Sequence, residues 1–348
     1  MKIFIKKMLN KAGVLNIFNA FTSGKINIFF YHGFTEDRTG TNNALENKFL
    51  PIAEFERHLE IYLKYGTPVS LPDVVSGKKI PRNAVVLTID DGYANNFSLV
   101  YPLLKKYNFP ATIFLTTGFI DREIFLWTDW LEFIVEGVPS GVERIIEWAG
   151  GVSEMNFSRD QTRELSIRDL KLALKKMPLK KIHLVLNGLQ NALRIDYRWE
   201  KIPQSLYPLT WGQIREMKKN GLVSFGSHTV CHPVLSRCDR ETQSFELIDS
   251  KRRIEEELGE PCPLFAYPNG KKDDYTRETV DLLKKAGYTH ALTTNLGYNM
   301  SDSSNQYELK RWGAGQTCAE LEYIAAGGPL IVHYPPFTRM RDQVKSGL

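Results

Sequence analysis

Nowhere in these 348 residues is there an unbroken apolar run of the roughly 18 residues that a membrane-spanning helix requires. Cysteine is scarce too. Cys231, Cys238, Cys262 and Cys318 lie scattered, with no Cys-x-x-Cys pair, which in a chain this long does not describe a disulfide framework. Acidic residues are absent before Glu36, while Lys2, Lys6, Lys7, Lys11 and Lys25 all fall there. Beyond that segment there is no basic stripe and no known binding motif, so a nucleic-acid partner is not expected. There is no internal repeat and no low-complexity tract. What remains is ordinary globular protein, 43% hydrophobic and 24% charged, long enough for one large α/β barrel domain or two smaller domains.

Residues 1–25 mix their lysines with Ile3, Phe4, Ile5, Met8, Leu9, Val14, Leu15, Ile17, Phe18 and Phe21. This is the pattern of a basic amphipathic helix. Asn10, Lys11, Asn16 and Asn19 interrupt any signal-peptide core, and no small-residue cleavage site is clear. Two readings stay open: a helix lying on an anionic membrane surface, or one packing its apolar face on the main domain. Either way a cytoplasmic, monomeric protein is expected. The first reading places it peripherally on the inner membrane face.

The most telling stretch is Val85-Val86-Leu87-Thr88-Ile89-Asp90-Asp91-Gly92. A strand-like run leaves a core and ends in two adjacent carboxylates and a glycine. Neighbouring carboxylates repel, and a divalent cation on one would offset this while leaving the other as a base. A strand followed by a plain Asp-Gly turn is the bland alternative. A second strand-like run, Leu222–Ser227, ends in His228-Thr229-Val230-Cys231-His232. Two histidines four apart share a helix face or converge in a tight loop. One aspartate and two histidines make up the three-ligand set of a catalytic metal site with an open position. Cys231, between the histidines, is a weaker fourth candidate.

Strand-like and helix-like segments alternate along the chain. Strands are predicted at 26–31, 85–89, 112–116, 223–226, 264–267 and 289–293. Helices are predicted at 54–65, 96–107, 211–220, 240–258 and 277–286, with Gly221 and Gly287 ending two of them. This alternation predicts a parallel sheet closed, or nearly closed, as a (β/α) barrel, whose chemistry sits at the C-terminal strand ends. Residues 121–209 break the rhythm and read as a helical insertion; residues 38–48 read as a loop.

At this point the residues resemble the polysaccharide deacetylases, the NodB-homology domain of carbohydrate esterase family 4. Thr88-Ile89-Asp90-Asp91-Gly92 is similar to the family's first motif, which implies Asp90 as catalytic base and Asp91 as metal ligand. His228-Thr229-Val230-Cys231-His232 resembles the second motif, implying His228 and His232 as ligands. Phe265-Ala266-Tyr267-Pro268-Asn269-Gly270 resembles a variant third motif. There Ala266 replaces the usual base-orienting arginine, a role that falls to Arg311 in Leu309-Lys310-Arg311-Trp312. No Asp-Trp motif is identified. The usual late histidine motif is also not clearly in place. Tyr31-His32 resembles the start of the permuted poly-N-acetylglucosamine deacetylases, which implies His32 as general acid, with His333 as its rival.

The resemblance implies a distorted seven-stranded α/β barrel over residues 26–318, with residues 319–348 as a tail. It implies a metal-dependent hydrolase removing N-acetyl groups from amino sugars of a cell-surface polysaccharide or its precursor. The metal would be Zn²⁺, with Co²⁺ or Ni²⁺ also compatible. An O-acetyl esterase and a non-catalytic glycan-binding relative remain alternatives. Substrate contacts are expected from the backbone N–H of Tyr93, from Tyr267, Pro268 and Asn269, and from an aromatic platform at Trp127 and Trp130. Core packing of both tryptophans is the competing reading.

Overall fold

A computed structural model describes residues 25–36, 49–139, 143–148, 151–156, 160–300, 305–313 and 318–326. The amphipathic segment 1–24, the loop 37–48 and His333 lie outside these residues.

The strands run in chain order as β1 (Lys25–Tyr31), β2 (Gly33–Thr35), β3 (Phe49–Pro51), β4 (Thr67–Pro68), β5 (Asn83–Ile89), β6 (Ala111–Leu115), β7 (Glu143–Trp148), β8 (Gly151–Asn156), β9 (Val223–Ser227), β10 (Leu264–Ala266), β11 (His290–Leu292), β12 (Asn299–Met300) and β13 (Trp312–Gly313). The main helices are α1 (Ile52–Tyr65), α2 (Tyr101–Tyr107), α3 (Trp127–Glu136), α4 (Asp160–Leu174), α5 (Leu179–Leu193), α6 (Trp211–Lys218), α7 (Arg240–Leu258), α8 (Arg277–Lys285) and α9 (Cys318–Ala325).

Parallel pairing runs β1–β5–β6–β9–β10–β11. The last stave is short. Leu309 bridges Leu292 of β11, and β13, starting three residues on, pairs in parallel with Phe29 and Phe30 of β1. Residues 309–313 therefore join the two ends of the sheet and close the barrel.

Alternation along each strand sorts the side chains into two layers. Ile26, Ile28, Ala84, Val86, Phe114, Leu264, Ala266, Leu292 and Leu309 form one cluster inside the barrel. Phe29, Tyr31, Val85, Leu87, Ile89, Ile113, Leu115 and Phe225 face outward and pack with Phe55, Leu59 and Tyr62 of α1. Burial on both faces explains why β5 reads as a continuous apolar run rather than an alternating one. Gly226 lies on the inner face. A Cβ there would come within 2.5 Å of the Phe114 ring and 3.0 Å of the Leu264 carbonyl, so its smallness lets Phe114 fill the barrel.

Sequence and structure differ at four places. The predicted helix 96–107 opens with a π-helical turn, Asn96–Val100, before α2 begins. The insertion is not all helical: the antiparallel hairpin β7–β8 lies between α3 and α4, and α5 follows. Its strand pattern, split by Ala149-Gly150, was the signal passed over. The supposed tail begins with α9, which packs on α1 and buries Leu321 and Ile324 in the main core. Gly221 and Gly287 are left-handed as C-terminal glycines should be, but sit beyond helices ending at Lys218 and Lys285. No described helix is long and apolar enough to cross a membrane.

Candidate active site

Strand parity aims the chemistry. Asp90 follows Ala84, Val86 and Thr88 on the inner face of β5, just past its last residue. His228 follows Ser224 and Gly226 on the inner face of β9. Both therefore crown the apolar interior at the C-terminal rim. Their backbones are tied to neighbouring staves: Asp90 N–H donates to the Tyr31 carbonyl at 2.9 Å, and His228 N–H to that of Leu115 at 2.9 Å.

Asp91 would point away if the strand continued. Instead it is left-handed, φ 73°, and Gly92 follows at φ 90°. The reversal brings Asp91 Oδ1 to 3.6 Å from His228 Nε2 and 3.5 Å from His232 Nε2. All three residues are buried, and their ligand atoms lie within 4.8 Å of one another. Thr229 (φ 71°) and His232 (φ 55°) are also left-handed. For a β-branched residue such as Thr229 this is costly, about 1–3 kcal/mol, and it persists only where the surroundings enforce it. Here the enforcing group is the buried Glu246 of α7, whose Oε2 accepts the N–H groups of Val230 and Cys231 at 2.8 Å each. Thr229 Oγ1 accepts the His232 N–H at 3.0 Å and closes the loop.

This set fits a divalent metal. His228 Nδ1 lies 2.7 Å from the Ala266 carbonyl, an acceptor only, so Nδ1 carries the proton and Nε2 presents a lone pair inward. One carboxylate and two imidazoles converging on one point, with a pocket on the remaining side, match an open zinc-type site. Cys231 is not in this set. Its N–H is held by Glu246, and burial together with that carboxylate pushes its thiol pKa up, away from the thiolate that binds metal. All four cysteines are unbridged.

Asp90 is a carboxylate of another kind. Arg311, two residues beyond the inward-facing Leu309, is fully buried and donates from Nη1 to Asp90 Oδ1 at 2.7 Å. The same guanidinium donates through Nε to the Thr293 carbonyl at 2.9 Å and lies 4.6 Å from the Phe30 ring centroid. Burial alone would raise the Asp90 pKa. Arg311 overrides it, with His228 and His32 pulling the same way, and the carboxyl is held below its ordinary range. Breaking such a buried pair from one side leaves a charge without a partner, at a cost of about 3–5 kcal/mol. An arginine thus reaches Asp90 from the closing stave, not from position 266 on β10.

The pocket over this rim has a volume of about 450 Å³. His32 lines it one residue beyond β1, its carbonyl accepting from Asn96 Nδ2 at 2.9 Å. That contact gives the π-turn a role: it seats Asn96 against the loop carrying His32. Tyr267 and Asn269 also line the pocket. Tyr267 has its hydroxyl committed to the Tyr307 carbonyl at 3.1 Å and its ring stacked on Tyr275. Asn269 is left-handed at φ 61°.

Other expected contacts are not made by side chains. Pro268 is buried and absent from the pocket wall, its carbonyl accepting the Gly270 N–H at 2.7 Å. The Tyr93 ring is fully buried, and its hydroxyl donates to Asp129 at 2.7 Å, so only its backbone could serve a substrate. Trp127 is no sugar platform: it is 0% exposed and forms the centre of the insertion's own core with Leu131, Ile134 and Leu186. Trp130 stacks on Tyr197 and donates to Gln190 at 2.9 Å. Three helices that add a separate layer must bury their own apolar faces, and that need takes both tryptophans.

Several residues at the site were not singled out in the sequence. Thr128, Glu132, Lys171, Lys175 and Lys271 line the pocket, and Glu246 holds the histidine loop. Asp129-Trp130 is an Asp-Trp pair that was passed over; Asp129 is buried behind the site, on Tyr93. Only that dipeptide carried a signal. The others stand in amphipathic helices and turns, where such residues are usually solvated.

Comparison with known proteins follows the same lines. The family profile described as polysaccharide deacetylase matches residues 77–291. A Bacillus subtilis protein, YxkH, whose name describes it as a polysaccharide deacetylase, is 23% identical over 292 residues, covering 82% of this chain and 70% of that protein. Among solved structures, the deacetylase PplD of Streptococcus pyogenes, in complex with acetate, superposes with TM-score 0.56 at 20% identity, covering 90% of this chain and 100% of that one. IcaB from Ammonifex degensii gives TM-score 0.55 at 17% identity, covering 88% and 97%. The structural likenesses support the barrel architecture. The profile spans the staves bearing Asp90, Asp91, His228 and His232, and on that ground the chain belongs to the polysaccharide deacetylase family.

Proposed function

We propose that this chain is a metal-dependent deacetylase that hydrolyses the N-acetyl groups of amino sugars in a cell-surface polysaccharide or its precursor. The carrying observation is the pairing of two unlike carboxylates on one strand end: Asp91 aimed at two imidazoles, and Asp90 locked to Arg311.

A bound divalent metal, of which Zn²⁺ best suits one carboxylate and two imidazoles, would acidify a water and polarise the acetyl carbonyl. The chain's own residues do the rest. Asp91, His228 and His232 supply the ligands. Asp90 has Oδ1 tied to Arg311, which leaves Oδ2 to take a proton from the attacking water. Arg311 keeps that carboxylate ionised and fixes its rotamer. His32, on the wall of the same pocket, gives a proton to the departing amine, because an amine anion does not leave unaided. The intact base, its arginine and the three converging ligands favour turnover over a role in glycan binding alone.

The test is acetate release from N-acetylated glucosamine oligosaccharides and, in parallel, from O-acetylated xylan. It is run on protein as purified, after chelation, and after Zn²⁺ is restored. Loss and recovery of amide hydrolysis is the expected result. Acetate from the esters alone would make the enzyme an O-deacetylase, and activity indifferent to chelation would refute the metal role. The proposal that residues 1–25 hold the enzyme to the cytoplasmic membrane face rests on the lysine pattern alone, and fractionation of full-length and truncated protein tests it.

A further inference from the structure

The pocket wall carries more positive charge than the proposed reaction uses. Three lysines line it: Lys171 of α4, Lys175 just past the end of α4, and Lys271 in the turn after β10. The acids of the wall are already engaged. Asp90 is paired with Arg311, Asp91 is aimed at the two imidazoles, and the buried Glu132 is paired with Lys171. Neither Lys175 nor Lys271 forms an ion pair among the described residues. Lys175 is half-buried. The acid whose charge acts on it, Asp274, accepts the Lys271 backbone N–H at 2.9 Å.

A half-buried ammonium with no salt-bridge partner is poorly compensated, and the exposed Lys271 adds a second positive charge to the same wall. Burial pushes the Lys175 pKa down, and Lys271 and Lys171 push the same way against Asp274. An anion between these lysines would relieve that strain.

A second observation points in the same direction. Neutral sugars are commonly held on exposed aromatic faces, and this wall offers little of that kind. Trp127 is wholly buried, Trp130 does not line the pocket, Tyr267 is only 1% exposed, and the half-buried Phe30 has the Arg311 guanidinium 4.6 Å from its ring centroid.

We infer that the acetylated substrate is an anionic glycan, with Lys175 and Lys271 receiving a phosphate or carboxylate oxyanion carried close to the reacting acetamido group. This rests on the deacetylase reading of the same pocket and adds the substrate's charge class. The insertion supplies Lys175 and the barrel supplies Lys271, so the anion would sit where the two meet, beside the metal ligands.

The experiment uses full-length, metal-loaded enzyme and three N-acetylglucosamine oligosaccharides of equal length. One is neutral, one carries a phosphodiester, and one carries a uronate next to the acetylated sugar. Wild type should favour a charged substrate by about tenfold or more in kcat/KM, as charge-assisted hydrogen bonds allow, and the preference should shrink with added salt. Which charged substrate leads identifies the anion. In Lys175→Gln/Lys271→Gln the preference should fall to about twofold or less, and Lys175→Glu should favour the neutral substrate.

A wild type that treats the neutral substrate as well as the charged ones would overturn the inference while leaving the deacetylase reading intact. So would a double variant with an unchanged ratio. If no substrate releases acetate, calorimetric titration of the same saccharides separates the two ideas. Lysine-dependent binding of a charged saccharide upholds the anion site and discards the reaction, and equal binding of all three discards the site.

Discussion

The barrel rim and the insertion wall meet in one pocket but are built on opposite principles. On the rim, each functional side chain is aimed by strand parity and a short turn, and a rigid neighbour holds it: Arg311 on Asp90, the Ala266 carbonyl on His228, Glu246 under the histidine loop. The insertion contributes Thr128, Glu132, Lys171 and Lys175 from helices whose first task is to bury Trp127 and its neighbours. On the proposed reading, the reaction machinery stands on closed staves, while part of substrate selection comes from an added layer that can vary without reshaping the barrel.

The largest effect expected from breaking that contrast lies on the rim. Asp91→Asn, His228→Ala or His232→Ala should lose bound metal and reduce acetate release to background. Asp90→Asn should keep the metal while activity falls about 10²–10⁴-fold. Elemental analysis beside the activity assay checks the split, and an Asp90→Asn protein empty of metal would merge the two roles.

His32→Ala comes next. A lost general acid costs about 10²–10⁴-fold on the amide with metal retained, and less on an activated aryl acetate, whose leaving group needs little protonation. His333→Ala should be nearly silent. The reverse order of effects would move the acid to the C-terminal segment.

Glu246→Ala sharpens the role of the support beneath the ligands. Removing the acceptor of the Val230 and Cys231 N–H groups should weaken metal retention about 10–100-fold, as read by chelator competition, and Glu246→Gln should recover part of it. Equal affinity in wild type and Glu246→Ala would show that the left-handed backbone at Thr229 and His232 needs no such brace.

The smallest effect on activity belongs to the insertion core. Trp127→Ala should cost about 3–5 kcal/mol of stability in urea unfolding while KM stays near wild type below the transition. A large rise in KM in the folded variant would restore Trp127 as a sugar contact.

How far the site could be read in advance follows the same divide. Asp90 and His228 were legible because strand parity sets the direction of a strand end, and Asp91 and His232 because the short turns that follow are also local events. Arg311 was reached only through family resemblance, since its partner is 221 residues away in sequence. Glu246 was not legible at all: nothing in an amphipathic helix marks which glutamate will lie under a loop. The hairpin β7–β8 was missed for a milder reason, its short alternating runs being outweighed by helix formers on either side.

By itself the sequence determined the alternation of strands and helices, the two-sided burial of β5, and which residues end the strands, because these depend on periodicity and turn chemistry within a few residues. The tertiary structure alone decided that residues 309–313 close the barrel and carry Arg311 to Asp90. It alone decided that Trp127 is core rather than platform, and that Lys175 and Lys271 share a pocket with Asp91, His228 and His232. The physical reason is range. Backbone geometry acts between neighbours in the chain, whereas buried charge pairs, packed rings and unpaired ammonium groups acquire their meaning only from what distant segments place beside them.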